Sequence, residues 1–341
     1  MKRMGDAEAG LKEAQRRNRD LEERNKHLTN QVTALSTQLQ GAEAQHQQTL
    51  QLLEAQRSEL KGARAFLTKE DTLSGADVIA MVDVLNAEIL QTAAFMADSL
   101  NGTGRDVNAL AEEAKWAHDR AIRIVGDHMV HILKSRLFQP KSDDDSMELQ
   151  IALQVCLVYS CISIVESWWP GYWREGDMLS ALYSQIIEKE GQSVSGRWRA
   201  ITRSYVKHLG NPHSRVVAYV TGDVGSILTV AGWSQRILEE KGFLKIFQEK
   251  LTIIGTLALR LQTTIGETII SGDLKTAWIP TNVGFDPNTM EDGFSQNGGS
   301  TKTITRQRVA GTTDIGLHRL MKESSVHILR KPKVVLYSAL E

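Results

Sequence analysis

The stretch "DTLSGADVIAMVDVLNAEILQTAAFMADSLNGTG", residues 71–104, marks where the chain changes from a solvated pattern to a buried one. Ser74 with Asp77 three residues on reads as a capping box, and Leu73 with Val78 as the hydrophobic staple that fixes a helix entry. Val78, Val82, Leu85, Ile89, Ala93, Met96 and Leu100 recur at steps of three and four, so one face of this helix is apolar and must be covered. Asn101-Gly102 ends it, because glycine readily takes the left-handed conformation that closes a helix. A packed body therefore begins here.

Upstream, the apolar residues follow a seven-residue count. Leu11, Asn18, Asn25, Val32, Leu39, His46, Leu53, Leu60 and Leu67 fall at one seam position, and Ala14, Leu21, Leu28, Leu35, Ala42, Thr49, Gln56 and Ala63 at the other. Such a seam is the signature of a coiled coil, because one helix cannot bury it alone. Asn18 and Asn25 favour two strands in register, each side-chain amide meeting its own copy. Arg17 with Glu22, and Glu59 with Arg64, place opposite charges at flanking positions of a parallel pair. The candidate assembly residues are Leu21, Asn25, Leu28, Val32, Leu35 and Leu39. The expected partner is a second copy of the chain or a heterologous helix, and the competing reading is a single helix folded back on the body. His46, Thr49 and Gln56 weaken the seam's second half, and Gly41 weakens the helix.

Downstream the periodicity predicts more helices. Asp106 caps the next one, carrying Val107, Leu110, Ala114, Ala117, Ala121, Ile124 and Val125 and stopping ahead of Pro140. Others follow over 147–169, 178–189, 197–209, 213–233 and 243–270, punctuated by Gly191, Gly210-Asn211-Pro212 and Gly242. "VVAYVTGDVGS" at 216–226 invites comparison with a phosphate loop, but its glycines have neither the P-loop nor the dinucleotide spacing and no Lys follows. Val216, Val217, Val220, Val224, Ile227, Leu228 and Ala231 keep a helical period through it, with Gly222 and Gly225 admitting a close neighbour.

The apolar run 151–165 would span about 22 Å as a helix, short of the roughly 30 Å of a hydrocarbon core. Gln154, Ser160 and Ser163 interrupt it, so no membrane span is expected. "ESWWPGYWREGD" follows at 166–177. Pro170-Gly171 suits a type II turn that sets Trp168 and Trp169 against Tyr172 and Trp173 as a helix corner. The alternative is an aromatic partner surface on the same four residues.

Between Glu190 and Asp223 there is no acidic residue, while Arg197, Trp198, Arg199, Arg203 and Lys207 occur there. Arg199, Arg203 and Lys207 fall four apart on one helix face, a cationic stripe that could meet phosphates with Trp198 available to stack. A solvated face, or one docked against Asp143–Asp145, is the plainer reading. His118, His128, His131 and Asp127 share a predicted helix, but no metal-binding motif accompanies them and no cofactor is implied. No nucleophile elbow, P-loop or catalytic cysteine signature is present, so an enzyme has no support beyond chain length.

Forty Lys+Arg against 41 Asp+Glu leave a net charge of −1, so no global field steers the chain to nucleic acid or an acidic membrane. Cys156 and Cys161, five apart in an apolar segment, read as buried thiols. The charged start lacks an apolar signal region, and an intracellular setting, cytoplasmic or nuclear, is expected.

After Pro280, residues 281–300 turn to Asn, Gly, Asp, Thr and Ser and read as a flexible linker. "TKTITRQRV" and "VHILRKPKVVLYS" within 301–341 read as extended pieces docking on the body, with Pro332 confining its segment to an edge. Arg330, Lys331 and Lys333 would charge that edge.

"FLTKEDTLSGADVIAMVDVLNAEILQTAAFMADSL", "VAGTTDIGLHRL" and the terminal "KPKVVLYSALE" together resemble an uncharacterised family of coiled-coil-bearing proteins of mushroom-forming fungi. The resemblance implies a coiled coil before a helical body and an extended tail; it names no activity. The expected architecture is mainly α: a coiled coil over 1–68, a multi-helix bundle-like body over 72–280, the linker, and a short extended β piece at the end. The expected function is non-enzymatic self-association, with polyanion binding by the 197–215 stretch as the alternative.

Overall fold

The computed structural model describes residues 2–67, 71–105, 114–137, 144–294, 307–320 and 325–340. The chain is mainly helical, and it divides into two compact units, Met1–Thr68 and Lys69–Glu341. The first is one continuous helix, α1 (Lys2–Leu67).

In the second unit α2 (Gly75–Leu100) begins as its sequence dictates. The Ser74 hydroxyl accepts from the Asp77 backbone N–H, the Asp77 carboxylate accepts from the Ser74 N–H, and Asn101 closes the helix. Every residue of the predicted stripe from Val78 to Leu100 is buried. α3 (Ala114–Ser135) is not the straight helix its periodicity suggests. Gly126, at φ 83°, breaks it, and the opening receives the Thr281 side chain at 3.2 Å from where a Cβ would stand. Asp106, Val107 and Leu110, expected to start this helix, lie outside the described residues.

α4 (Asp144–Glu166) is the central element, packed against α2, α3, α7 (Pro212–Val230) and α9 (Phe243–Thr263). A helix apolar all round is stable only where neighbours cover every face, and Ile151, Ala152, Leu153, Val155, Cys156, Leu157 and Val158 are all buried. Among the described residues two helices are long and apolar enough to cross a membrane, Gly75–Leu100 and Ser146–Glu166; 78% of the second's apolar window is buried, against 39% of the first's. The polar interruptions of α4 are used internally. Gln154 donates to the Thr313 carbonyl at 3.1 Å, Ser160 to Asp223 at 2.7 Å, and Ser163 back to Tyr159. The 216–226 stretch is helical within α7, as its period requires.

α5 (Trp173–Lys189), α6 (Gln192–Val206) and the short α8 (Gln235–Glu240) complete the helical layer, and a π-helical turn, Thr264–Thr268, follows α9. The chain then pairs β1 (Asp273–Ala277) with β4 (Gly316–Leu320) and β5 (Val326–Arg330), all antiparallel, in the order β1-β4-β5. A second sheet has the order β2-β6-β3, with β6 (Lys333–Leu336) between β2 (Glu291–Asp292) and β3 (Val309–Asp314). β3 lies directly on α4: a Cβ on Gly311 would stand 2.6 Å from Val155 Cγ2, so only glycine permits this approach.

Two sequence expectations are corrected here. Residues 281–294 are tied down rather than free: Asn282 N–H donates to Val309 O, Phe285 N–H to Gln307 O and Gly293 N–H to Val334 O. Met290 joins Val309, Val334 and Leu336 in a small second core, so burial outweighs the loop-like composition. Residues 295–300 and 301–306 lie outside the described residues. Pro332 does not mark an edge strand containing it. It separates β5, which is an edge, from β6, which is central. Arg330 pairs with Asp83 and Asp314, Lys333 with Asp314, and Lys331 donates to Pro287 O, so this charge is spent inside the fold.

Candidate assembly surface

The seam of α1 leaves a line of apolar side chains on the surface. Leu11, Leu21, Leu28, Val32, Leu35, Leu39, Leu53 and Leu60 are 42% to 64% exposed. Asn25 sits exposed in the same line, four residues from Thr29, whose hydroxyl back-bonds to its carbonyl at 2.8 Å. The side chain of Arg64, expected to pair across a dimer, lies outside the described residues.

The cationic stripe goes the other way. Arg199 and Arg203 are 4% and 7% exposed, so α6 turns that face inward and the two guanidinium groups are off the surface. Arg199 forms an ion pair with Asp273 and donates to Tyr183 Oη (3.1 Å) and to the carbonyls of Ile269 and Gly272. Tyr183 in turn donates to Asp273 at 2.7 Å, closing a ring of three buried polar groups. Burial lowers Arg199's affinity for its proton, against the pull of Tyr183 and Asp71. Among the described residues Arg203 has no carboxylate in ion-pair contact, though the Glu166 and Glu267 charges act on it. It lies 4.9 Å over Trp168 and donates to Glu166 O at 3.4 Å, while its Nε and Nη1 find no hydrogen bond. Burial, reinforced by Arg199, pushes its pKa down to about 10. Lys207 reaches Glu267 at 2.6 Å, and Arg197 is half-buried. Asp143 and the side chains of Asp144 and Asp145, considered as partners of the stripe, lie outside the described residues.

The Trp-rich stretch is a corner. Tyr172 N–H donates to Trp169 O at 2.9 Å and Gly171 takes φ 81°, as a type II turn requires. Its rings do not all meet each other. Trp169 stacks on Tyr172 at 4.3 Å, but buried Trp168 packs on Tyr183 (5.0 Å) and Trp198 (5.5 Å), and Trp173 on Tyr219 (4.8 Å). Arg215 covers Tyr172 at 4.0 Å, so the aromatic surface is largely spent on joining α4 to α5, α6 and α7.

A second buried ion pair was not legible in the sequence. Arg120 of α3 meets Asp223 of α7 at 2.6 Å, with Ser160 donating to the other carboxylate oxygen. Burial pushes the Asp223 carboxyl above its ordinary range, against the Ser160 hydrogen bond and the Arg120 charge. His128 packs edge-on against Tyr337 at 4.6 Å, and among the described residues no three His, Cys, Asp or Glu side chains are placed to hold a metal. Cys156 and Cys161 are free thiols with no exposure, and burial raises the pKa of both.

Comparison with protein-family models, curated proteins and solved structures finds no match to this chain.

Proposed function

We propose that the protein is a non-enzymatic assembly protein that pairs through α1 as a parallel, in-register homodimer. The exposed seam supports this reading most directly. Most helical stability in proteins comes from packing rather than propensity, and burying one leucine contributes on the order of 1.5–3 kcal/mol, so eight exposed apolar side chains in line call for a partner. A second copy supplies the complementary seam, and Asn18 and Asn25 favour meeting their own copies over meeting a leucine. The polyanion alternative loses ground, because two of its five residues are buried and internally engaged.

Light scattering on the full chain and on a chain beginning at Thr68 tests the proposal. The full chain is expected at twice 37.9 kDa and the shortened chain as a monomer. A monomeric full chain overturns the homodimer and leaves a heterologous helix or an internal dock.

A further inference from the structure

We propose that the body holds an uncharged, mainly apolar small molecule, bearing one hydrogen-bonding group, in a cavity between α7 and α9. The cavity has a volume of about 990 Å³, near the upper end of the range for ligand pockets. Three observations carry the assignment, none of them dependent on the pairing of α1.

The first is shape. Ala218, Gly222 and Gly225 of α7 line the cavity together with Phe247 and Leu251 of α9. A Cβ on Gly225 would have no heavy atom within 4 Å, so bare helix backbone faces open space there. Its companion from the sequence differs: a Cβ on Gly222 would meet the Arg120 guanidinium at 3.4 Å. The space is a cleft partly open to solvent, bordered by Met96 of α2 as well as by α7 and α9.

The second is charge. Among the described residues no Asp, Glu, Lys or Arg lines the cavity; Leu228, Leu238, Phe247 and Leu251 give it an apolar wall, and its polar parts are uncharged Ser, Thr and Gln side chains with His213. A charged ligand would lose its hydration there without a counter-ion, whereas a neutral one would lose little.

The third is an unused polar group. Thr221, which lines the cavity, has a buried hydroxyl with no hydrogen-bond partner among the described residues. Buried polar atoms are nearly always paired, and a ligand hydroxyl or carbonyl would satisfy this one. The Trp233 indole N–H is already donated to Thr103 Oγ1 at 2.8 Å, so that ring offers only apolar surface.

The test is titration of the full chain with Nile red, a neutral dye whose fluorescence rises in apolar surroundings, followed by displacement with dodecanol or dodecanoate at about pH 8, where the carboxylate is charged. Saturable binding of one dye per chain is expected, displaced by the alcohol and not by the carboxylate. Gly225→Leu fills the open space and should weaken dye binding at least tenfold while leaving helicity and Tm unchanged or raised, since Leu suits a helix better than Gly. Thr221→Val, of the same shape, should weaken the alcohol by about two- to tenfold, the worth of one hydrogen bond. Leu28→Asp with Leu35→Asp, which breaks the seam, should leave dye binding intact. Absence of saturable binding, binding untouched by Gly225→Leu, loss in the seam variant, or preference for the carboxylate would each overturn the proposal. If Gly225→Leu fails to fold, the smaller Gly225→Ala, with Thr221→Val, decides the same question.

Discussion

Asn86 and Ile315, far apart in the chain, hold each other by two hydrogen bonds: the Asn86 amide donates to the Ile315 carbonyl at 3.0 Å and accepts from its N–H at 2.8 Å. Ile315 is the residue at which the chain leaves one sheet and enters the other, and both partners are buried. A polar residue in the apolar stripe of α2 is thus the peg on which both sheets hang. Asn86→Ala would leave two buried backbone groups unpaired, at about 1–3 kcal/mol each, and should lower the urea midpoint accordingly. An unchanged midpoint would refute the peg.

The two buried arginines should differ in what their removal costs. Arg199→Met strands the Asp273 carboxylate in the interior and should cost about 3–5 kcal/mol. Arg203→Met keeps the contact over Trp168 while removing a guanidinium that, among the described residues, touches no carboxylate, and should change stability by less than about 1.5 kcal/mol in either direction. Denaturant curves on the two variants check the contrast; equal losses would contradict it.

Asp71 gives the body a pH dependence of known sign. Burial raises its pKa, but the Ser271 hydroxyl and the backbone N–H groups of Ile270 and Ser271 outweigh burial, and the net shift is downward. A carboxylate with a depressed folded pKa contributes stability that is fully present above its unfolded value near 3.8 and is lost as pH falls through the folded value. Asp71→Asn should therefore be less stable than the native chain at neutral pH, the gap narrowing below 3.8 and closing only below the depressed folded value. A stability gap that persisted into acid would mean that the carboxylate's charge does not stabilise the junction.

Asn25 tests the register of the seam. Asn25→Val should raise the stability of the assembly while relaxing its number of strands toward higher species, because a polar seam residue trades stability for a defined pair. Sedimentation of both chains reports the distribution, and an unaltered one would place Asn25 outside any interface.

The thiols offer a folding reporter. Cys156 and Cys161 are buried in α4 with raised pKa values, so alkylating reagents should ignore both until the body unfolds. Prompt modification of the native chain would show that α4 opens locally.

Local chemistry written within a few residues was legible from the sequence. The Ser74 and Asp77 cap, the α2 stripe, the helical period through Gly222 and Gly225, the turn at Pro170-Gly171 and the uninterrupted α1 each depend on neighbours within a turn or two. Tertiary structure alone decided which way a charged face points. Arg199, Arg203 and Lys207 spell a cationic stripe in any helix, yet Asp273, Glu267 and the carbonyls that turn it inward come from the distant segment after α9. Residues 281–294 read as linker for the same reason: the strands that hold them lie further along the chain. The cavity beside Gly225 has no sequence signature at all, because empty space is a property of how two helices fail to meet.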